Sequence, residues 1–500
     1  MAVMLNGGTL RFSDVVTVAR QQVPVELDAD AVNRLEAGRR LVDHVVDQQV
    51  VTYGVNTGFG SLSRVRIPAE QVRQVQRNLV RSHSAGIGPP LHPEIVRAVM
   101  VILAASLSRG HSGVRPVVVE TLADVLNAGV VPVVPSRGSV GASGDLAPLA
   151  HIADVLIGEG VAEYQGQQMP GGQALYAAGI KPLVLEAKEG LALINGTHLM
   201  TAMGVLLIED TSKLLNAAIG AAALSIDACR ATDAFLDARV HAARPHPGQI
   251  AVAGRMRGLL EGSTILPNHK TDDPRVQDPY SLRCMPQVLG AAMDTIDHVR
   301  TVFERELTAT TDNPLVFDDG AIISAGNFHG MPLALALDTL TMALAQIAGI
   351  SERRVYFLLS ASDSENPLNP YLSPHPGLHS GLMIAQYTAA AACNEIQTLA
   401  TPASVHNIPT SAGMEDYNSM GVTAAHQAWQ ALDLAMHVVA IELLCSAEAL
   451  EYQRPLRSGA GVEKIHDQVR ARVPRLTEDR PPQPDIQQIV RLIREGVFVS

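Results

Sequence analysis

Met331-Pro332-Leu333-Ala334-Leu335-Ala336-Leu337-Asp338 opens a run that stays rich in Ala and Leu through Ile350. Pro332 stands where a first helical turn tolerates it, because the amide it lacks is one that a helix start leaves unpaired. Gly381 to Ala400 and Gly421 to Leu450 share this texture, with good helix formers and almost no internal Gly or Pro. Apolar residues surround most of each stretch, so the helices are expected to pack inside a bundle. Stripes of this kind are core and carry no chemistry. Residues 111–500 therefore read as one long helical-bundle domain, interrupted by breaks at Asn366 to Gly377, Pro402 to Gly413 and Glu478 to Pro484. Residues 1–110 mix short apolar runs with Gly and Pro, as at Gly86-Ile87-Gly88-Pro89-Pro90, and read as a smaller mixed N-terminal domain. The fold class is mainly α: a long central helical bundle with a smaller mixed N-terminal domain.

The chain of 500 residues is long enough to bury a large core, which 47% hydrophobic but only 4% aromatic content assigns to Ala, Val and Leu. Charged residues make up 18%, low for a chain that must cover its own surface, and this favours subunit contacts and an oligomer. A net charge of −12 without any basic run argues against nucleic-acid binding. Cys229, Cys284, Cys393 and Cys445 lack CxxC spacing, which fits reduced thiols and no zinc site. The start, Met1-Ala2-Val3-Met4-Leu5-Asn6-Gly7-Gly8, has no charged region followed by an apolar stretch, and no segment offers about 18 uninterrupted apolar residues. A soluble, cytoplasmic protein without a membrane span is the expectation.

The chemistry centres on Gly138-Ser139-Val140-Gly141-Ala142-Ser143-Gly144-Asp145-Leu146-Ala147-Pro148-Leu149-Ala150, glycine-rich on one side and helix-like from about Asp145. If the Gly144 nitrogen attacks the Ala142 carbonyl and two waters are lost, the tripeptide becomes a 4-methylidene-imidazol-5-one, an electrophile made from the chain itself. Only small residues let the backbone fold tightly enough for that attack. Ala-Ser-Gly alone is common, and an ordinary loop before a helix accounts for it equally well.

Four other segments concentrate polar residues. Tyr53-Gly54-Val55-Asn56-Thr57-Gly58-Phe59-Gly60 describes a flexible, tightly turned loop, either a lid carrying a phenol or a plain surface turn. Ser82-His83 precedes a Gly/Pro break, where a lone His is more often structural than a base. Gln277-Asp278-Pro279-Tyr280-Ser281-Leu282-Arg283 offers an amide, a phenol and a guanidinium whose fork matches a carboxylate; a surface ion pair is the plainer use of such an Arg. Ser411-Ala412-Gly413-Met414-Glu415-Asp416-Tyr417 sets adjacent carboxylates at a loop-to-helix junction, where helix capping is their ordinary role.

Together and in this order, the segments resemble the aromatic amino acid ammonia-lyase and aminomutase family, and within it the histidine branch. The motifs that carry the resemblance are residues 138–150, Gln-Asp-Pro-Tyr-Ser-Leu-Arg-Cys at 277–284, Thr-Asp-Asn-Pro at 311–314 and Gly-Asn-Phe-His at 326–329. The resemblance implies elimination of ammonia from an aromatic L-amino acid, L-histidine to trans-urocanate first, by an electrophile that forms autocatalytically from Ala142, Ser143 and Gly144, with no metal or diffusible cofactor. It implies Tyr53 as the base for the β-proton, Arg283 as the partner of the substrate carboxylate, and Asn195 and Gln277 as hydrogen-bonding groups. Tyr280 would lie against the electrophile and Phe328 would wall the pocket. Glu415 would stand near the imidazole, and His83, preceded by Ser82, marks the histidine branch. A homotetramer whose sites draw loops from more than one chain is also implied. A phenol with a reference pKa of about 10 is a weak base at neutral pH, so neighbouring cationic or dipolar groups are expected to lower Tyr53. The helix from Asp145 would point its positive end at the electrophile.

The chain departs from the histidine pattern at Cys284-Met285-Pro286-Gln287, at Gly330-Met331 after Asn327-Phe328-His329, at Met414 and at Tyr417. The three methionines point to a more apolar or more spacious surround, unless they only repack behind the site. Rival readings are a tyrosine or phenylalanine lyase and a 2,3-aminomutase of the same family. Gly262-Ser263-Thr264-Ile265-Leu266-Pro267-Asn268-His269-Lys270 loosely resembles a loop of fumarase-like lyases, whose other motifs are missing. A serine hydrolase would need a Gly where Asp145 stands.

Overall fold

The computed structural model describes residues 2–270 and 273–498, and the chain is mainly α-helical. It divides into two compact units, each gathered from three separated segments. Unit 1 comprises Met1–Leu206, Arg300–Leu337 and Ala403–His426; unit 2 comprises Leu207–Val299, Asp338–Pro402 and Gln427–Ser500.

The helices that matter here are α1 (Val72–His83), α2 (Pro93–Leu107), α3 (Leu146–Leu156), α4 (His198–Ala228), α5 (Met285–Glu306), α6 (Met331–Ser360), α7 (Met383–Leu399) and α8 (Gly421–Leu450). Unit 1 carries small sheets beside its helices. Val3–Leu5 pairs in parallel with Val25–Leu27, Ile87–Pro90 pairs antiparallel with Pro135–Arg137, and Val161–Tyr164 lies between Val131–Pro132 and Gln167–Pro170. The hairpin Tyr164 to Gln167 turns on Gln165 and Gly166, both at positive φ, the backbone that a two-residue turn between twisted strands requires. Helix α2 is buried from Ile95 to Leu107 and forms part of the unit's core. Helix α1 is the opposite kind: Val72, Gln76, Leu79 and Val80 are buried, while Arg73, Arg77 and Arg81 stand in solvent.

Helix α8 has the bounds read from the sequence, and α7 lies inside the expected Gly381 to Ala400. Helix α6 covers the expected Met331 to Ile350 and runs on to Ser360, through Ser351-Glu352-Arg353-Arg354. The extension has a physical cause in unit 2. Arg354 is fully buried, and its Nε and Nη2 donate to the two Glu442 oxygens of α8 at 2.5 and 2.8 Å. Ser351 and, from α4, Ser225 donate to the same carboxylate at 2.6 and 2.9 Å. A polar run that looks like a helix end is thus an interior ionic cluster. By length and composition α6 and the segment Gly421–Gln453 resemble membrane spans, but 67% and 78% of their most apolar windows are buried, as in core helices. The last helix, Gln483–Glu495, begins inside the expected break at Glu478 to Pro484, with Pro484 in the first turn where it needs no hydrogen-bond partner.

Removing one partner of a fully buried ion pair leaves the other charge uncompensated, which costs about 3–5 kcal/mol. Glu442→Leu should therefore lower stability by about that amount in equilibrium unfolding, and Arg354→Leu added to it should recover much of the loss. A single variant as stable as the parent would mean that water reaches Arg354.

Candidate active site

Ala142-Ser143-Gly144 is held by backbone contacts together with the Ser139 and Glu415 side chains, all within unit 1. Gly144 takes φ +75° and forms a bridge with Gly196, itself at φ +128°. The Gly196 amide donates to the Ser143 carbonyl at 3.3 Å, and the Asp145 amide donates to the Gly196 carbonyl at 2.8 Å. A Cβ on Gly144 would collide with the Gly196 backbone, and one on Gly196, held at positive φ, would collide with the His198 and Thr311 side chains. On the other side, the Met420 amide donates to the Val140 carbonyl at 3.0 Å.

Asp145 precedes α3, as the sequence suggested, but its carboxylate does not cap that helix. One oxygen accepts the amides of Leu199 and Met200 at 2.9 and 3.0 Å, and the other accepts the Ser139 hydroxyl at 3.0 Å. Asp145 thereby ties the start of α3 to the first turn of α4. Complete burial nonetheless pushes its carboxyl up to about 7.

Ala142 and Gly144 are buried, and Ser143 reaches a cavity of about 600 Å³. Helix α1 forms one wall with Val75, Asn78, Leu79, Ser82 and His83, and Tyr53, Asn195 and Glu415 face the same space. The Tyr53 loop is pinned rather than loose. The Gly58 amide donates to the Val65 carbonyl at 2.9 Å, the Thr52 amide to Asn56 Oδ1 at 2.8 Å, and the Gly60 amide to the Tyr53 hydroxyl at 3.3 Å. Glu415 follows the tight turn at Ser411–Gly413 and caps no helix. Its Oε1 accepts the Ser143 hydroxyl at 3.2 Å and its Oε2 the Thr410 hydroxyl at 2.9 Å. Asn195 is 2% exposed, and its Oδ1 has no partner among the described residues.

Charge and burial set the state of these groups. His83 Nδ1 lies 2.9 Å from the Leu79 carbonyl, which only accepts, so the proton is assigned to Nδ1 and Nε2 keeps its lone pair. Loss of water holds the His83 imidazole below its ordinary value and therefore neutral at pH 7. Tyr53 corrects an expectation. Burial raises its phenol above the ordinary value of 10, Glu415 adds to the rise, and only the Gly60 amide opposes it. The cavity walls contain no Lys or Arg among the described residues, so nothing cationic there lowers Tyr53.

Gln277, Tyr280 and Arg283 belong to unit 2, where they form a cluster of their own. Arg283 Nη2 donates to Gln277 Oε1 at 2.7 Å, and the guanidinium lies 4.6 Å from the centre of the Tyr280 ring. Tyr280 is 71% exposed. Phe328 sits in unit 1, half-buried in the turn before α6, and does not line the cavity. None of Met285, Met331 and Met414 lines the cavity either; Met285 is fully buried and Met414 is exposed. Sequence reasoning missed Gly196, Thr410 and the upper part of the α1 wall. The wall was within reach, since counting back from Ser82 by helical spacing gives Leu79, Asn78 and Val75; no local signal pairs Gly196 with Gly144.

Comparison with known proteins gives a consistent picture. The family model described as aromatic amino acid lyase matches residues 10–471. A histidine ammonia-lyase of Koribacter versatilis is 49% identical, with 100% of this chain and 99% of the relative covered. The crystal structure of histidine ammonia-lyase from Trypanosoma cruzi superimposes with a TM-score of 0.92 at 38% identity, covering 100% of this chain and 94% of that one. Tyrosine aminomutase from Streptomyces globisporus gives a TM-score of 0.94 at 36% identity, covering 100% and 98%.

Ultraviolet difference titration of the protein against its Tyr53→Phe variant should place the Tyr53 phenolate above pH 10. A midpoint below that value would mean that a cation reaches the hydroxyl in solution.

Proposed function

We propose that this chain, which belongs to the aromatic amino acid lyase family, eliminates ammonia from L-histidine to give trans-urocanate. The observation that carries the substrate is the pairing of Glu415 with His83 around the cavity that Ser143 faces. A carboxylate and a neutral imidazole with a free Nε2 both accept hydrogen bonds, and a substrate imidazole supplies one N–H donor when neutral and two when protonated. A phenyl ring supplies none and would leave these acceptors unpaired, the situation against which enzymes discriminate most strongly.

The tripeptide fits the 4-methylidene-imidazol-5-one that the family resemblance implies. Small residues, two glycines in close backbone approach and an unpartnered Asn195 Oδ1 beside Ser143 are what such a group needs around it. Once formed, the group supplies an electrophilic carbon for the substrate amine, which turns a poor leaving group into a better one. Dehydration of Ser143 removes the hydroxyl that Glu415 Oε1 accepts and leaves that oxygen for the substrate ring. Asn195 orients the bound amino acid through its free oxygen. Helix α3 directs its positive end toward the tripeptide and favours negative charge there.

Tyr53 takes the β-proton as phenolate. Since burial raises its pKa, the phenolate fraction grows with pH below that value, and turnover is set to rise from neutral into alkaline solution. The cation missing from the cavity walls is Arg283, which pairs with the substrate carboxylate while Gln277 and Tyr280 accompany it. Such an arrangement suits a homotetramer whose sites draw loops from several chains. Val276 at 94% and Leu378 at 79% exposure support surfaces that subunit contacts would cover. The four cysteines are all unpaired, in keeping with a cytoplasmic enzyme.

Incubation with L-histidine, L-tyrosine and L-phenylalanine separately, followed in the ultraviolet, tests the reading. Urocanate from histidine is expected; cinnamate, coumarate or a β-amino acid in its place would overturn it. Tyr53→Phe should lose most turnover and keep the prosthetic-group absorbance, whereas retained turnover would remove Tyr53 from the base role.

A further inference from the structure

We infer that Glu159 is a positioning residue for substrate recognition: by gripping Arg77 and Arg81 on the outer face of α1, it fixes where His83 stands relative to Ser143. The inference rests on the histidine reading above. Helix α1 has two working stripes. Val75, Asn78, Leu79, Ser82 and His83 look into the cavity, and Arg73, Arg77 and Arg81, spaced by four, follow one line along a different side. Glu159 takes the last two. Its Oε1 accepts Arg77 Nε at 2.9 Å and Nη2 at 2.5 Å, and Arg81 Nη2 at 2.7 Å; its Oε2 accepts Arg81 Nε at 2.7 Å. Glu186 holds Arg73 in the same manner, with Nε at 2.9 Å.

The place of Glu159 in the chain gives this grip its consequence. It lies in the turn that closes α3, between Gly158 and Gly160 at positive φ, with its amide on the Asp154 carbonyl at 2.8 Å. Helix α3 starts at the other end directly after Ser143-Gly144-Asp145. One short rigid helix therefore joins the clamp to the tripeptide, and another joins it to His83. A further tie lies just beyond His83, where the Gly86 amide donates to His151 Nε2 of α3 at 3.1 Å. The planar guanidinium forks fix direction as well as distance, which a single charge pair would not. Arg81 and Arg77 hold the Glu159 carboxyl below its ordinary value, so the clamp is charged throughout the working range. Without Glu159, two like charges one turn apart repel along α1.

Glu159 touches neither substrate nor tripeptide, so its removal acts on recognition and leaves the chemical step alone. In full-length protein, Glu159→Ala should raise the KM for L-histidine about three- to tenfold, with kcat and prosthetic-group absorbance within about twofold of the parent. Glu159→Gln, which keeps hydrogen bonding without charge, should fall between them and also serves if the Ala variant folds poorly. Reversing the set, Glu159→Arg with Arg77→Glu and Arg81→Glu, should bring KM back toward the parental value, which a purely structural loss would not do. An unchanged KM in Glu159→Ala, or a fall in kcat and absorbance at constant KM, would overturn the inference. If the parent turns over another aromatic amino acid instead of histidine, the histidine reading fails, and the same KM comparison with that amino acid decides the role of Glu159.

Discussion

Everything at the site depends on two backbones meeting with no side chain between them. Gly144 lies so close to the Gly196 backbone that only a hydrogen atom fits on its Cα, and both residues adopt positive φ. That contact fixes the Ser143 carbonyl and the Asp145 amide, and through them the register of α3 against the start of α4. The Asp145 carboxylate closes the arrangement by accepting two amides of α4 that have no partner within the helix. Local freedom is spent here to gain rigidity at a place where a backbone nitrogen has to reach a carbonyl carbon.

Around this joint the protein separates two kinds of polar interior. In unit 2, Arg354, Ser351 and Ser225 all donate to Glu442, and Arg354 Nη1 donates to the Ser281 carbonyl at 3.3 Å, so the buried charges are paired. In unit 1, Asn195 leaves an oxygen unpartnered, His83 leaves Nε2 open, and Glu415 spends one oxygen on a hydroxyl that its proposed chemistry removes. A buried acceptor without a donor costs stability, so Asn195 Oδ1 on the cavity wall is informative in a way that the paired cluster is not.

Long helices were legible because their sequences are apolar all round and free of breakers; Gly421–Leu450 could be read to the residue. The end of α6 was not, since a burial partner 88 residues away decides whether Arg354 terminates a helix or enters a core. The tripeptide and the Tyr53, His83 and Glu415 segments were legible as motifs. Their electrostatics were not, because desolvation is a property of the surroundings: Tyr53 was expected to be lowered and is raised. Residue adjacency misled in one respect as well. Glu415-Asp416 reads as a helix cap, yet Glu415 bonds across 272 residues to Ser143.

The close contact of Gly144 with Gly196 also gives the chain a kind of memory. On the proposed chemistry, ring closure needs the native fold as its template, and a nascent or misfolded chain cannot perform it. Once closed, the bond persists when the fold is lost. A denatured mature chain and a newly made one are then different molecules of the same gene, distinguishable by mass. Refolding the first follows a landscape that the second never crossed, and the ring it carries is a covalent record of having once been correctly folded.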